Sequence, residues 1–453
     1  MASNDEVDKI APKLNGNKEG TFAYTTVKDR WPKIVTKLVD LLKTGIKDIV
    51  TDIGEEADGD VRSILEVLSK LRYLIMTDKP LENLIDNADD AMMWNGMLQE
   101  LREHDMQLEQ ETVTWYRADW LFVECYLYRY IYSAVYSTVK MREFDYFQTN
   151  KRDSFTDHIG QIEESCAYLL PIIAEDAPVH ETFGLATMIK MSLWGNRADM
   201  SLTGGDNLTL EQSSMNASAQ RDKFILVDNI HELTARVLFP LLKRRGEQPA
   251  NRRIDIVLDN AGVELVGDLL LAEYFISMGF ADQVHLHGKS FPWFVSDVTR
   301  GDFNWTLEQL QINGESCSKI AERLKQRIAD GQIIFENHRF WTYPHAYCDM
   351  KTVCPDLYEE LQTSSLAIFK GDLNYRKLVG DRDWDLDTSF NTALRGFEPC
   401  PVFALRTLKA ETVAGLGKEV INELIRQYDE DNSWMTSGEY AVCQLGGAAP
   451  PKN

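Results

Sequence analysis

Basic residues are in the minority in this chain. Lysines and arginines number 48 against 71 aspartates and glutamates, a formal net charge of −23 over 453 residues. A surface of that sign repels nucleic acid and anionic membranes, and argues against both as partners. A small anionic ligand would need its own local cluster of cations. Paired cysteines are lacking too: seven are scattered at positions 125, 166, 317, 348, 354, 400 and 443, with no CxxC spacing. That speaks against a disulfide scaffold or a zinc ribbon, and for a reducing, cytoplasmic or nuclear–cytoplasmic compartment. Long apolar runs are also missing. The most apolar one, Trp120 to Tyr136, carries Glu124 and Arg129. It falls short of the ~20 residues that spanning a bilayer requires, so it reads as a core helix. The opening residues, MASNDEVDKIAPKLNGNKEG, contain no apolar signal core.

What is present suits a folded globular protein with a large core: 44% hydrophobic residues, with 17 Tyr, 19 Phe and 10 Trp. From Tyr24 to about Ser201 apolar residues recur at three- and four-residue steps, as in WPKIVTKLVDLLKTGI and VRSILEVLSKLRYLI. Residues 202–220 are rich in Gly, Ser and Asn and read as a linker or loop. After Arg221 short apolar runs alternate with helical stretches. The runs are FILV (224–227), IDIVL (254–258), QVHLH (283–287), QIIFE (332–336), LAIFK (366–370) and PVFAL (401–405). Such alternation predicts a largely parallel sheet with helices on both faces. The expected organisation is a disordered tail over 1–20, a helical domain over 21–215, an α/β/α domain over 216–440 and a second disordered tail over 441–453.

Polar residues follow each run: Asp259-Asn260, Gly288-Lys289 and then Asp297, Asn337, the segment GDLNYRK (371–377), and Arg406-Thr407-Leu408-Lys409. Ligands of open α/β sheets bind outside the carboxyl ends of the strands, so these groups should converge. Asp259, Asn260 and Asp297 offer oxygen ligands for a hard divalent cation. Lys289, Lys370, Arg376 and Lys409, with backbone N–H groups at the next helix start, would hold an anion such as phosphate. A cation beside basic groups is the chemistry of phosphoryl transfer or phosphate-ester hydrolysis. Asp or Asn at such a junction also serves as a simple helix cap. Asp228-Asn229 ends a similar run with no glycine after it, and reads as a cap or strand end without metal. His285 and His287 share a strand face as zinc ligands do. With no third nitrogen or sulfur ligand nearby in sequence, they read as packing or supporting groups.

DIVLDNAGVELVGDLLLAEYF, VHLHGKSFPWFVSD, FKGDLNYRKL and RTLKAE are four ordered motifs over about 155 residues. Together they resemble the damage-control phosphatase family. Arg406-Thr407-Leu408-Lys409 is similar to the Arg-Thr-x-Lys mark of its subfamily III, and WGNRADMSL (194–202) to a further family segment. The resemblance implies a helical N-terminal domain followed by a Rossmann-like α/β/α domain. It implies a divalent metal (Mn²⁺, Ni²⁺, Co²⁺ or Mg²⁺) on Asp259, Asn260 and Asp297, with Asp259 and Asp297 catalytic. Sugar-phosphate contacts would fall on Asp259, Asn260, Asp372, Leu373, Asn374, Tyr375, Arg376 and Lys409. Asp372 and Asn374 would read sugar hydroxyls, or Asn374 would cap its helix. The nucleophile is a water or one of the carboxylates. Asn196 and Asp199 reach the crevice or act as caps. The implied substrates are small phosphorylated metabolites such as fructose 1-phosphate or fructose 6-phosphate, removed before they glycate proteins.

Some relatives of this subfamily have been described as S-adenosylmethionine-dependent methyltransferases acting on protein glutamate. Under that alternative Glu264 and Asp297 would contact the nucleotide. It ranks second, because no GxGxxG turn follows a first strand and Lys/Arg groups suit phosphate better than a sulfonium cation.

Overall fold

The computed structural model describes residues 10–107, 113–174, 184–195, 221–244, 252–429 and 431–448. Contacts divide the chain into two compact units. One comprises 1–144, 379–389 and 410–423; the other comprises 145–378, 390–409 and 424–453. The boundary expected near 215 therefore lies at 144/145 by this division, and two later segments return to the first unit.

The first unit is helical, built on Trp31–Thr44, Ala57–Met76, Ala91–Gln107 and Trp120–Tyr136. The last of these is the apolar run of the sequence, and its two charges explain why it stays in a protein core. Arg129 is buried against Asp86 at 2.9 Å and Asp90 at 2.7 Å, and Glu124 accepts a hydrogen bond from the Trp31 indole at 3.2 Å. Buried charges persist when paired and hydrogen-bonded in this way. Among the described residues no helix is long and apolar enough to cross a membrane. Of the tail expected over 1–20, residues 10–20 are described and are held in place. Backbone bonds tie Leu14 to Asp381 and Trp120, and Pro12 to Asp383. Polar composition alone does not show such anchoring, because the partners are distant in sequence. The expected linker at 202–220 lies outside the described residues.

The second unit carries one seven-stranded sheet: β1 Ile225–Asp228, β2 Arg253–Val257, β3 Gln283–His287, β4 Ile333–Glu336, β5 Leu366–Lys370, β6 Pro401–Thr407 and β7 Ala441–Gly447. Their order is β1-β7-β6-β5-β2-β3-β4. The five strands from β6 to β4 are mutually parallel. β7 is antiparallel to β6 and β1 is parallel to β7, so these two run against the rest. The expected tail from 441 is corrected here. Ala441, Val442 and Cys443 are buried between two neighbouring strands, and the Gly-rich residues that follow still pair with β6.

Strand alternation sorts the sheet into two faces. Ile254, Ile256, Val284, Leu286, Leu366 and Ile368 belong to a core shared with the Val263–Ser277 helix, which is buried from Val263 to Ile276. Residues of opposite parity, including Asp255, His285, His287 and Phe369, face the other way, where Phe369 packs against Trp341 and Tyr347. The mixed α/β architecture is the fold class that the alternation of runs and helices predicts.

Candidate active site

β2 ends at Val257, and Leu258 is held by a bond from its N–H to the His287 carbonyl at 3.0 Å. Asp259 and Asn260 follow. The next helix begins at Val263 with Gly262 as its N-cap, so neither Asp259 nor Asn260 caps it. Both are tied instead to the loop after β3. Val298 N–H donates to the Asp259 carbonyl at 2.9 Å, Ala261 N–H donates to the Ser296 carbonyl at 2.8 Å, and Asn260 and Asp297 form an isolated antiparallel bridge. Phe294 and Val295 hold φ values of 43° and 70° just before this contact. A left-handed conformation is costly for a β-branched residue and persists only where the surroundings impose it. Here it turns the chain so that Ser296 and Asp297 face Asn260.

The three predicted oxygen donors thus come together, all buried. The Asn260 amide donates to Asp259 and to Glu264, each at 2.8 Å, and its oxygen accepts from the Ser296 hydroxyl. Asp297 is 1% exposed. Its Oδ2 lies 3.1 Å from the Lys289 ammonium, an ion-pair contact that still leaves this oxygen without an aligned hydrogen bond. Lys289 donates to the Leu258 carbonyl at 2.8 Å. Burial pushes the Asp259 carboxyl well above its usual range, and the charges of Glu264 and Asp297 push it further. Lys409 and Lys289 pull it back from a distance, without an ion pair to it among the described residues. Burial likewise raises Asp297, against the pull of Lys289. The pocket therefore holds more negative charge than it neutralises, a state a bound cation relieves.

Gly371 closes one side. It has φ +81°, and a Cβ there would sit 1.9 Å from Asp259 Oδ2. Only glycine permits this approach. The strand-to-helix junction in LAIFKGDLNYRK was the signal for it. Helix Gly371–Val379 starts at this point.

The other expected contacts separate into two groups. Lys409 is exposed and its charge reaches Asp259. Asp372 positions it: the carboxylate accepts from the Lys409 backbone N–H at 3.0 Å and from Arg406 at 2.8 Å. Asn374 is buried. It donates to the Lys370 carbonyl at 2.8 Å and to those of Val257 and Leu258 at 3.3 Å, and it accepts from the Tyr347 hydroxyl. It therefore fastens its helix to the end of β2. Leu373, Tyr375 and Arg376 are buried as well. The Tyr375 hydroxyl donates to Gln444 at 2.8 Å, under the Arg406 guanidinium.

Lys370 is not placed to hold an anion. It is 1% exposed and bonds to Asp268 at 2.6 Å, to Glu264 at 3.2 Å and to the Ser192 carbonyl at 2.9 Å. It ends β5 on the core side, in phase with Leu366 and Ile368. Glu264, the nucleotide contact of the methyl-transfer alternative, is 4% exposed and occupied by Asn260 and Lys370, which gives that alternative no support. Asn196 and Asp199 lie outside the described residues.

Residues 26–424 match a family described as the damage-control phosphatase ARMT1-like domain. The chain is similar to the damage-control phosphatase ARMT1 of Danio rerio, 41% identical over 441 residues, covering 95% of this chain and 96% of that protein. It is 40% identical to that of Mus musculus, covering 96% and 98%, and 38% identical to that of Homo sapiens, covering 97% and 99%. Among solved structures, a DUF89 family protein from Pyrococcus horikoshii aligns over 84% of this chain and 97% of its own. Its 16% identity and TM-score of 0.39 are too remote to bear on the site.

Proposed function

The chain belongs to the damage-control phosphatase family, a family of phosphoric monoester hydrolases, and from that premise we propose a metal-dependent phosphatase of small sugar phosphates such as fructose 1-phosphate and fructose 6-phosphate. The observation that carries this reading is the buried, under-neutralised oxygen cluster of Asp259, Asn260 and Asp297 beside an exposed lysine. A buried Asp297 oxygen whose contact is the Lys289 ammonium at 3.1 Å, and two buried carboxyl groups pushed upward, fit a hard divalent ion.

Asp259, Asn260 and Asp297 would hold that ion, with Mn²⁺ or Mg²⁺ best matched to oxygen donors. When bound, it supplies Lewis acidity at a phosphoryl oxygen. Ser296 can accept from Asn260 as well as donate to it, so either orientation of the amide has a partner. Lys409, pinned through its backbone by Asp372, supplies positive charge at the mouth. The N–H groups at the start of the Gly371–Val379 helix add to it. Together they would bind the phosphoryl group and neutralise the charge that develops on it. Asn374 and Tyr375 act by holding this helix in place.

The test is release of inorganic phosphate by the purified full chain from p-nitrophenyl phosphate, fructose 1-phosphate and fructose 6-phosphate. Each is assayed with Mn²⁺, Mg²⁺, Co²⁺ or Ni²⁺, and again after chelation. Turnover should require an added cation and favour a sugar phosphate. No release from any ester with any of the four cations overturns the reading.

A further inference from the structure

The sheet face opposite the apolar core carries a second cluster that the reaction above does not use. Asp255, His285, His287 and Glu336 come from β2, β3 and β4, and Glu360 comes from the helix Pro355–Gln362. One ligand atom each of His285, Glu336 and Glu360 lie within 4.8 Å of one another. His285 Nδ1 is 2.7 Å from Glu336 Oε1.

His287 is fully buried and supplies an independent sign. Its Nε2 is 2.7 Å from Asp255, which Arg253 and Ser364 hold in place. A carboxylate only accepts, so Nε2 carries the proton and Nδ1 is the free lone pair. That Nδ1 has no hydrogen-bond partner, and it points at Glu336, 3.7 Å from Oε2. A histidine whose far nitrogen donates to a carboxylate while its near nitrogen stays open is the arrangement of metal-bound imidazoles. The charge balance agrees. Asp255, Glu336 and Glu360 face the single guanidinium of Arg253, which leaves two negative charges when both imidazoles are neutral. The Glu336 and Glu360 side chains are 26% and 36% exposed, so an ion can enter from solvent. A neighbouring group, His338, Cys354 and Asp356, lacks this property. His338 Nδ1 already accepts from the Phe340 N–H, which leaves the proton on the nitrogen facing Asp356.

We propose that His285, Glu336 and Glu360, with the open Nδ1 of His287 facing Glu336, form a second divalent-cation site, chemically distinct from the first. Imidazole nitrogen beside two carboxylates favours a borderline ion such as Zn²⁺ over Mg²⁺.

The experiment is calorimetric titration of the full chain with Zn²⁺ in excess Mg²⁺. It compares the unsubstituted protein with an Asp259→Asn/Asp297→Asn double variant, His285→Ala and Glu360→Gln. The double variant should still take up one equivalent of Zn²⁺. His285→Ala and Glu360→Gln should each weaken that uptake by about tenfold or more. Glu360 is partly exposed and its change conservative, so Glu360→Gln stays interpretable even if His285→Ala fails to fold. Glu360→Gln should also keep its Mn²⁺-supported phosphatase turnover, which separates this site from the catalytic reading. No Zn²⁺ uptake by the double variant, or unaltered uptake in Glu360→Gln, overturns the proposal.

Discussion

Two places in this chain read Asp-Asn at the end of a strand, and the structure uses them differently. Asp228 accepts from the Ile230 N–H at 3.0 Å. Asn229 extends the β7 pairing, donating from its N–H to the Cys443 carbonyl at 2.9 Å and accepting from Leu445 at 3.2 Å. These are turn and ladder duties. The side chains of Asp259 and Asn260 have no such duty: the Asn260 amide donates to Asp259 and Glu264, and its oxygen accepts from Ser296 in the Asp297 loop. Strand direction makes the difference. β1 runs against β2, so its end leaves the opposite edge of the sheet from the one where β2, β3 and β5 deliver polar groups. An identical dipeptide acquires chemistry only where the topology surrounds it with other donors.

The largest test of this contrast is a pair of substitutions. Asp259→Ala should lower kcat/KM for p-nitrophenyl phosphate with Mn²⁺ by roughly a thousandfold or more, as expected when a metal ligand in a preorganised site is removed. Asp228→Ala should leave it within about twofold, since what is lost is a local turn bond and a 3.8 Å ion pair with Lys190, both made at the other end of the strands. Circular dichroism on both variants establishes that the fold survives. Comparable losses from the two would erase the distinction.

Next in size is Gly371→Ala. Its positive φ alone costs about 1–3 kcal/mol for a non-glycine residue, and the new methyl would overlap the Asp259 carboxylate. Urea denaturation should show a loss of about 2 kcal/mol or more. Repeating it in an Asp259→Gly background removes the overlap, and should recover about 1 kcal/mol or more as a coupling between the two positions. Additive losses would show that the closeness of Gly371 to Asp259 carries no energy.

Lys409→Ala comes third. The side chain is exposed, so melting should not change, while kcat/KM for a phosphate ester should fall about tenfold, mainly through KM. Unchanged kinetics would take Lys409 out of the substrate's path.

Much of this arrangement was legible because it follows from parity and direction. Six short apolar runs became strands, and parallel neighbours bring Asp259, Asn260 and Asp297 to one edge. β7 is hard to see in sequence because the apolar run Ala441–Cys443 is interrupted by Gln444 and then passes through Leu445 into two glycines and a Pro-rich end. Lys370 departs from the expected anion contact for a reason the parity of its strand contains: two residues beyond Ile368, it belongs on the core face, where it bonds to Asp268. The roles of Asn374 and of strained Phe294 and Val295 had no local signal. Their partners are set by tertiary contacts far along the chain.

The smallest effect concerns protons competing with the cation. Burial raises the carboxyls of Asp259 and Asp297, and raises that of Asp268 to about 6. An acid whose folded pKa is raised contributes stability that is complete below its unfolded value and is lost as pH rises through the folded one. The metal-free protein is therefore increasingly penalised by these groups from about pH 4 upward. A bound cation favours the ionised forms and reverses that penalty at Asp259 and Asp297. Saturating Mn²⁺ should then raise Tm more at about pH 8 than at about pH 5.5, by a few degrees. Taking the metal-induced shift at each pH cancels groups of opposite sign, such as His345, whose burial lowers it to about 4. Asp259→Asn should flatten the dependence, whereas Asp228→Asn should leave it intact. A metal-induced shift that is equal at both pH values in the unsubstituted protein would mean that Asp259 and Asp297 do not exchange protons for the ion.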